Sequence, residues 1–252
     1  MDALDQFLKT FFDWQAIGEV IPQMLTVGLP NTLILAVSSA ILGCILGLVL
    51  AVMGISRNPV LRWISRVYTD IFRGLPAILV IVVIGIGLGP ILRQLTGITN
   101  PFPLAILALT LMAGAYIGEI FRSGIQSVDK GQLEASRALG FGYGQAMLLV
   151  VIPQGIRRVL PALVNQLIAL IKDSSLIYLL GVTAGQRELY RVSNDYAANS
   201  GSLSPLIAAG LLYLILTVPL THLVNFMDKR LREGKAARAE PDEAAALVGK
   251  GA

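Results

Sequence analysis

Apolar and polar positions alternate along the chain in blocks, with long uncharged runs separated by short charged stretches. Residues 25–55 form the first run, and residues 33–53 within it carry no charge. About twenty apolar residues suffice to cross a bilayer as a helix, so this run predicts a span. Four more spans are expected at residues 75–92, 104–120, 159–182 and 203–226. In the first, Ala36, Ala40, Gly43, Gly47, Ala51 and Gly54 recur at spacings of three or four, which puts small residues on one face for close helix packing. Gly114 and Gly118 do the same in the third. The second holds Gly85, Gly87 and Gly89. The Lys and Ser/Thr of a phosphate loop are missing there, so close packing or a locally loosened helix is expected.

Residues 1–24 alternate aromatic and charged positions at helical spacing and read as an interfacial segment. Residues 25–227 form the membrane domain. Residues 228–252 are a charged, Ala-rich tail, expected to extend the last helix and then become disordered.

A different pattern interrupts the alternation at residues 129–153, between the third and fourth spans. Asp129 is placed to cap a helix over residues 130–139, with Gln132 at capping-box spacing. Gly140 is placed to end that helix in the left-handed conformation. Gly142 and Gly144 continue the turn, residues 145–152 read as a second helix, and Pro153 is expected to break it. A connection between spans needs only two to eight residues, so a folded helix–turn–helix here points to a docking surface for a soluble partner.

Composition agrees with a multi-span protein: 55% of the 252 residues are hydrophobic, 14% are charged and the mean hydropathy is +0.71. The charge distribution adds an orientation. Fifteen Lys and Arg lie in the first interspan stretch, the 122–158 region and the tail, against Lys9, Arg93, Arg187 and Arg191 on the other side. Cytoplasmic loops collect Lys and Arg, so the 129–153 loop and the C-terminus are expected inside and the N-terminus outside. This placement accounts for the net charge of +4 without a nucleic-acid partner.

The residues exclude several chemistries. One His and one Cys cannot form a His/Cys metal cluster, no nucleophile motif surrounds His222, and no GxxxxGK[ST] occurs. No catalytic residue and no cofactor is therefore expected in this chain. The intramembrane polar residues are the candidate pathway: Thr110 and Tyr116 in the third span, and Asn165, Gln166, Lys172, Asp173, Ser174, Ser175 and Tyr178 in the fourth. Lys172 and Asp173 interrupt an apolar run and need a partner, a helix end or water. Exposed backbone in a broken helix there offers a place for a zwitterion. Helix-to-helix hydrogen bonding is the competing use of each of these side chains.

Glu134-Ala135-Ser136, Gly140 six residues after the Glu, and Val150-Val151-Ile152-Pro153 resemble the EAA loop of ABC-importer membrane subunits. Tyr68 to Pro76 (YTDIFRGLP), Ala115 to Ile125 (AYIGEIFRSGI), Gly131 to Ala135 (GQLEA) and Lys172 to Leu176 (KDSSL) are similar to segments of the polar-amino-acid branch. The resemblance implies an all-α, five-span type I importer permease with cytoplasmic coupling helices. Two such permeases pair, as a homodimer or heterodimer, on two ABC ATPase subunits that bind the ATP and Mg. An extracytoplasmic binding protein delivers a polar L-amino acid. Glu134, Ala135, Ser136, Gly140 and Pro153 then contribute to ATPase coupling. Related branches carry cystine, opines or other small solutes. A secondary transporter, the main alternative from another class, usually shows related halves, and no internal repeat is visible here. A membrane scaffold, the third possibility, leaves the polar residues of the fourth span unexplained.

Overall fold

The computed structural model describes the backbone over residues 3–248 and side chains as far as Leu231. Among the described residues the fold is helical throughout, and five helical stretches are long and apolar enough to cross a membrane. Helices α1 (Ala3–Phe11) and α2 (Trp14–Gln23) lead through a π-helical turn into α3 (Leu29–Ile55). Asp13 caps α2, its carboxylate accepting from the Gln15 and Ala16 amides at 3.0 and 3.1 Å.

The basic stretch after α3 reads in sequence as a polar connection. It is instead a helix, α4 (Pro59–Gly74), capped by Asn58, whose side chain accepts from the Val60 amide at 2.9 Å. Three arginines mask its helical period in a hydropathy reading, but its Ser65 and Thr69 face is buried against α3 and α7. Leu75 is extended, as a residue preceding proline prefers. Helix α5 (Ala77–Val82) then widens into a π-turn and continues as α6 (Gly89–Thr96). Gly85 lies in that turn, and a Cβ there would fall 2.3 Å from the Leu180 side chain. Close packing at Gly85 and a loosened helix around it thus coincide.

Helix α7 (Phe102–Gln126) is the most buried span. It is followed by α8 (Lys130–Ala138), α9 (Tyr143–Ala146), a π-turn and α10 (Ile152–Arg158). Pro153 does not break the second helix of this loop. It sits in the first turn of α10, where the missing N–H costs nothing, because the π-turn before it has already rearranged the ladder. Helix α11 (Leu160–Asp173) tightens into a 3-10 turn at Ser174–Leu180 and stops at Gly181, with φ +65°. The following connection carries a further helix, α12 (Leu189–Ser200), before α13 (Ser204–Val248). Helix α13 runs into the tail as far as Val248, and residues 249–252 of the tail expected to be disordered lie outside the described residues.

Helices α3 and α7 share the most extensive contact in the molecule. A Cβ on Gly43 would lie 2.8 Å from Ala113 Cβ, and one on Gly47 would lie 2.8 Å from the Gly118 amide nitrogen. The small-residue face therefore packs backbone against backbone. The opposite face of α3, with Ile41, Ile45 and Val49, is exposed and apolar, as suits lipid contact. A second cluster, including Val20, Met24, Leu189, Val192 and Ala208, joins the N-terminal segment to α12 and α13. Backbone bonds reinforce it: Leu203 N–H donates to Thr10 C=O at 2.8 Å, and Asp13 N–H to Ser204 Oγ at 2.8 Å.

Gly47→Ala places a methyl against the immobile α7 backbone and is expected to cost about 1–3 kcal/mol, the range for overpacking. Gly89→Ala, with nothing within 4 Å of its Cβ, serves as the control. Thermal melts of the detergent-solubilised protein should show a lower midpoint for the first variant only.

Candidate coupling surface and membrane polar clusters

The loop after α7 is built from local bonds. Asp129 Oδ1 accepts from the Gly131 amide at 2.6 Å and starts α8. The reciprocal half of a capping box does not form, because Gln132 instead accepts from Gln154 Nε2 at 3.2 Å, tying α8 to α10. At its other end α8 closes in a Schellman motif: Gly140 N–H donates to Arg137 C=O at 3.0 Å and Phe141 N–H to Ser136 C=O at 3.2 Å. Gly140 takes φ +91°, which a residue with a Cβ adopts only under strain. Its neighbour Gly142 donates to Gln145 Oε1 at 2.9 Å and starts α9.

The loop has two faces. Inward, Ser136 is buried with its hydroxyl on the Gln132 carbonyl at 2.6 Å, and Leu133, Ala146, Val151 and Ile152 join or pack on the core. Outward, Glu134, Ala135 and Arg137 are exposed, and the large apolar side chains of Leu139 (81% exposed), Phe141, Leu148 and Leu149 are exposed too. Glu134 makes no ion pair with Arg137 among the described residues. Pro153 is also exposed.

The loop is held firmly to the spans. A Cβ on Gly124 would lie 2.7 Å from Gly155 C=O, and one on Gly155 would lie 2.8 Å from Ile125 Cα, so α7 and α10 touch through their backbones. Arg158 Nη1 donates to the Ser127 carbonyl. The Arg57 guanidinium lies 5.1 Å above the Tyr143 ring, linking the α3–α4 turn to α9.

The polar residues expected to form a pathway do not converge on one place. Thr110 is buried, and its hydroxyl has no hydrogen-bond partner. Asn165 and Lys172 are exposed, and Gln166 and Asp173 half-buried. No ion pair within 4 Å joins Lys172 to Asp173. Ser175 donates to Lys172 C=O at 2.7 Å, and Ser174, fully buried, donates to Ile171 C=O at 2.7 Å, so both hydroxyls serve the helix end. Tyr178 packs edge-on against Tyr190, with ring centroids 5.0 Å apart.

Two clusters go beyond the sequence reading, one of them built on a Glu119–Arg122 pair that the spacing already suggests. In the first, Arg122 holds Glu119 through two bonds at 2.9 and 2.6 Å, and Arg73 of α4 approaches the same carboxylate at 3.8 Å. The Arg73 guanidinium also lies 5.5 Å from the Tyr116 ring centroid. Arg73, Glu119 and Arg122 border a cleft of about 210 Å³ with Arg62, Arg66, Thr69 and Asp70. The Glu119–Arg122 pairing was legible from the i,i+3 spacing, but Arg73 lies 46 positions earlier and joins only through the crossing of α4 over α7.

The second cluster surrounds Glu188, the N-cap of α12, which is completely buried. Its carboxyl accepts from the Tyr190 and Arg191 amides at 2.6 and 2.7 Å and from Tyr213 Oη at 3.3 Å. The Thr32 and Ser174 hydroxyls lie beside the same phenol. Leu189 N–H donates to Thr32 Oγ1 at 3.1 Å, and Asn31 Nδ2 donates to the Gly185 and Arg187 carbonyls at 2.9 and 3.1 Å. The neighbouring arginines, Arg187 and Arg191, both pair with Asp195 at 3.1 Å rather than with Glu188. Burial pushes the Glu188 carboxyl up to about 8. Four elements thus meet on one polar node, at the end of the bundle away from α8.

A five-span helical bundle with a backbone-locked helix–turn–helix between its third and fourth spans defines a membrane permease subunit. Residues 43–233 match the family described as the binding-protein-dependent transport system inner membrane component, and the chain belongs to that family. It is 39% identical over 221 residues to the arginine transport system permease protein ArtQ of Bacillus subtilis, covering 87% of this chain and 97% of ArtQ. It is 31% identical over 224 residues to the glutamate/aspartate import permease protein GltK of Escherichia coli O157:H7, covering 87% and 98%. A crystal structure of an amino acid ABC transporter with histidines superposes with a TM-score of 0.73 at 30% identity, covering 86% of this chain and 98% of that one. The MetNI methionine ABC transporter, at 24% identity and a TM-score of 0.66, shares the fold. The chain is thus a multi-pass inner-membrane transporter subunit, not an enzyme, and in this family a separate subunit hydrolyses ATP.

The Glu188 carboxyl has a testable consequence. Its folded-state value lies above that of the unfolded chain, so its contribution to stability is complete below the ordinary carboxylate range and is lost as pH rises through about 8. The melting midpoint of the wild type should therefore fall between about pH 5 and about pH 9, and Glu188→Gln should flatten that dependence. An equal slope in both proteins would assign the dependence to other groups.

Proposed function

We propose that this chain is the permease of an ATP-driven importer for polar L-amino acids, working as one of two paired membrane subunits on two ABC ATPases. An extracytoplasmic binding protein delivers the cargo. The observation that carries the coupling role is the exposure of Leu139, Phe141, Leu148 and Leu149 on a loop otherwise locked to α7. Apolar side chains of this size left uncovered beside charged ones suit a protein partner. Glu134 and Ala135 lie on the partner side, Ser136 anchors the helix from beneath, Gly140 sets the turn, and Pro153 begins the helix that returns to the membrane.

The Lys/Arg asymmetry supports a cytoplasmic loop and C-terminus with the N-terminus outside. In the proposed cycle, closure of the ATPases moves α8 and α9. The glycine contact between α7 and α10 carries that movement into the spans, which open outward for the amino acid and reset after hydrolysis. The named cargoes of the relatives, arginine and glutamate/aspartate, support a polar amino acid. Another small solute such as cystine or an opine is the alternative. Tyr116 and Thr110 of α7, and Asn165, Gln166, Lys172, Asp173, Ser174, Ser175 and Tyr178 of α11 and its 3-10 end, remain the candidate pathway. To these the Arg73–Glu119–Arg122 cluster is added.

Deleting the gene in its host and measuring energised uptake of labelled basic, acidic and amide L-amino acids, with cystine included, tests the substrate. Loss confined to one group, restored by the wild-type chain, is the expected result. Gly140→Val forces a β-branched residue to positive φ at a cost of about 1–3 kcal/mol, confined to the turn. It should insert normally yet restore no uptake. Full uptake by this variant contradicts the coupling role, and undiminished uptake of every amino acid in the deletion strain contradicts the substrate class.

A further inference from the structure

Helix α4 has three faces, and the fold uses only one. Ser65 and Thr69 are buried, with Ser65 Oγ donating to Leu50 C=O at 2.8 Å, and Tyr68 Oη donates to Leu111 C=O at 2.8 Å. A second face carries Val60, Trp63, Ile64 and Ile71, all exposed, with Trp63 at 65%. The third carries Arg62 and Arg66, one helical turn apart and both exposed. Among the described residues, Arg57 lies over Tyr143 and Arg73 is paired to Glu119, whereas the side chains of Arg62 and Arg66 have no ion pair, hydrogen bond or ring contact. Asp70, a turn beyond Arg66, is exposed and makes no ion pair with it.

Where the apolar and basic faces meet, Pro59, Arg62, Trp63 and Arg66 line a depression of about 360 Å³. It opens on the end of the bundle that carries the loop, since Arg62 also borders a cavity with Asp129, Lys130 and Tyr143. An amphipathic helix with an uncovered aromatic and aliphatic stripe, flanked by arginines, has the chemistry of the membrane interface. Two unpaired guanidiniums at one headgroup-sized hollow match a phosphodiester, which arginine binds through paired N–H donors.

We propose that Arg62 and Arg66 bind the headgroup phosphate of an anionic glycerophospholipid, whose acyl chains lie along Trp63 and the apolar stripe of α4. The lipid stands against the turn that Arg57 links to α9, so it steadies the base of the coupling loop. Its assignment to the cytoplasmic leaflet rests on the orientation proposed above; the binding does not.

The purified transporter, permease together with its ATPase, is delipidated in detergent. It is then titrated with phosphatidylglycerol or phosphatidylcholine and read by native mass spectrometry. The wild type should bind phosphatidylglycerol preferentially, and Arg62→Gln/Arg66→Gln should weaken that binding roughly ten- to thirty-fold, from about 1 kcal/mol per basic residue at the surface. Phosphatidylcholine binding should not change. Equal phosphatidylglycerol affinity in both proteins overturns the site, and displacement by millimolar inorganic phosphate replaces it with a free-anion site. A second readout needs no arginine variant. In a Trp14→Phe background, brominated phosphatidylglycerol should quench Trp63 more than brominated phosphatidylcholine does. Equal quenching, or no quenching because a second permease covers Trp63, contradicts the proposal. Cysteine labelling of the loop from either side of sealed vesicles tests the orientation separately.

Discussion

Everything in this molecule hangs on the close approach of backbones along α7. In a bilayer, lipid tails solvate apolar side chains as well as other helices do, so helix association depends on packing and polar contacts. Gly47 against Gly118 seats α3 on α7, and Gly155 against Gly124 and Ile125 seats α10 on the same helix. Neither contact tolerates a Cβ without moving backbone. The first fixes the bundle. The second makes the loop after α7 mechanically continuous with it, so that a displacement of α8 and α9 cannot be absorbed by slack at their base.

Two polar clusters stand at opposite ends of this scaffold. Around Glu188, two amides and a phenol satisfy a buried carboxyl, and the same node gathers the start of α3, the end of α11, the start of α12 and α13. Near the loop, Arg73, Glu119 and Arg122 join α4 to α7 beside Tyr116. The Glu188 network is buried and holds only when each member is satisfied, the Arg73–Glu119–Arg122 cluster is partly exposed, and each is assembled from segments far apart in the chain.

Much of this was legible in the sequence, for identifiable reasons. Hydropathy marks the five spans because a bilayer tolerates so few charges. The spacing of Gly43, Gly47 and Gly118 marks the packing faces, and the left-handed turn at Gly140 follows from glycine's freedom. What was missed depends on tertiary context. Helix α4 was hidden by its own arginines, and α12 by a polar composition that looks like a loop. Pro153 reads as a breaker unless the π-turn preceding it is known. Lys172 and Asp173 attract attention as intramembrane charges, yet they mark where α11 tightens. Glu188, in a short polar stretch, is the acidic side chain that is fully buried among the described residues.

If the exposed apolar residues of the loop after α7 meet an ATPase, masking of a single site there measures the contact most directly. Cys44 is replaced by Ala, Leu139 by Cys, and the thiol is titrated with a membrane-impermeant maleimide in inside-out vesicles, with and without the ATPase subunit. Labelling should be rapid in the permease alone and strongly suppressed in the complex, while a thiol placed at exposed Trp14 stays unlabelled in both. Equal labelling of residue 139 with and without the ATPase would contradict the account.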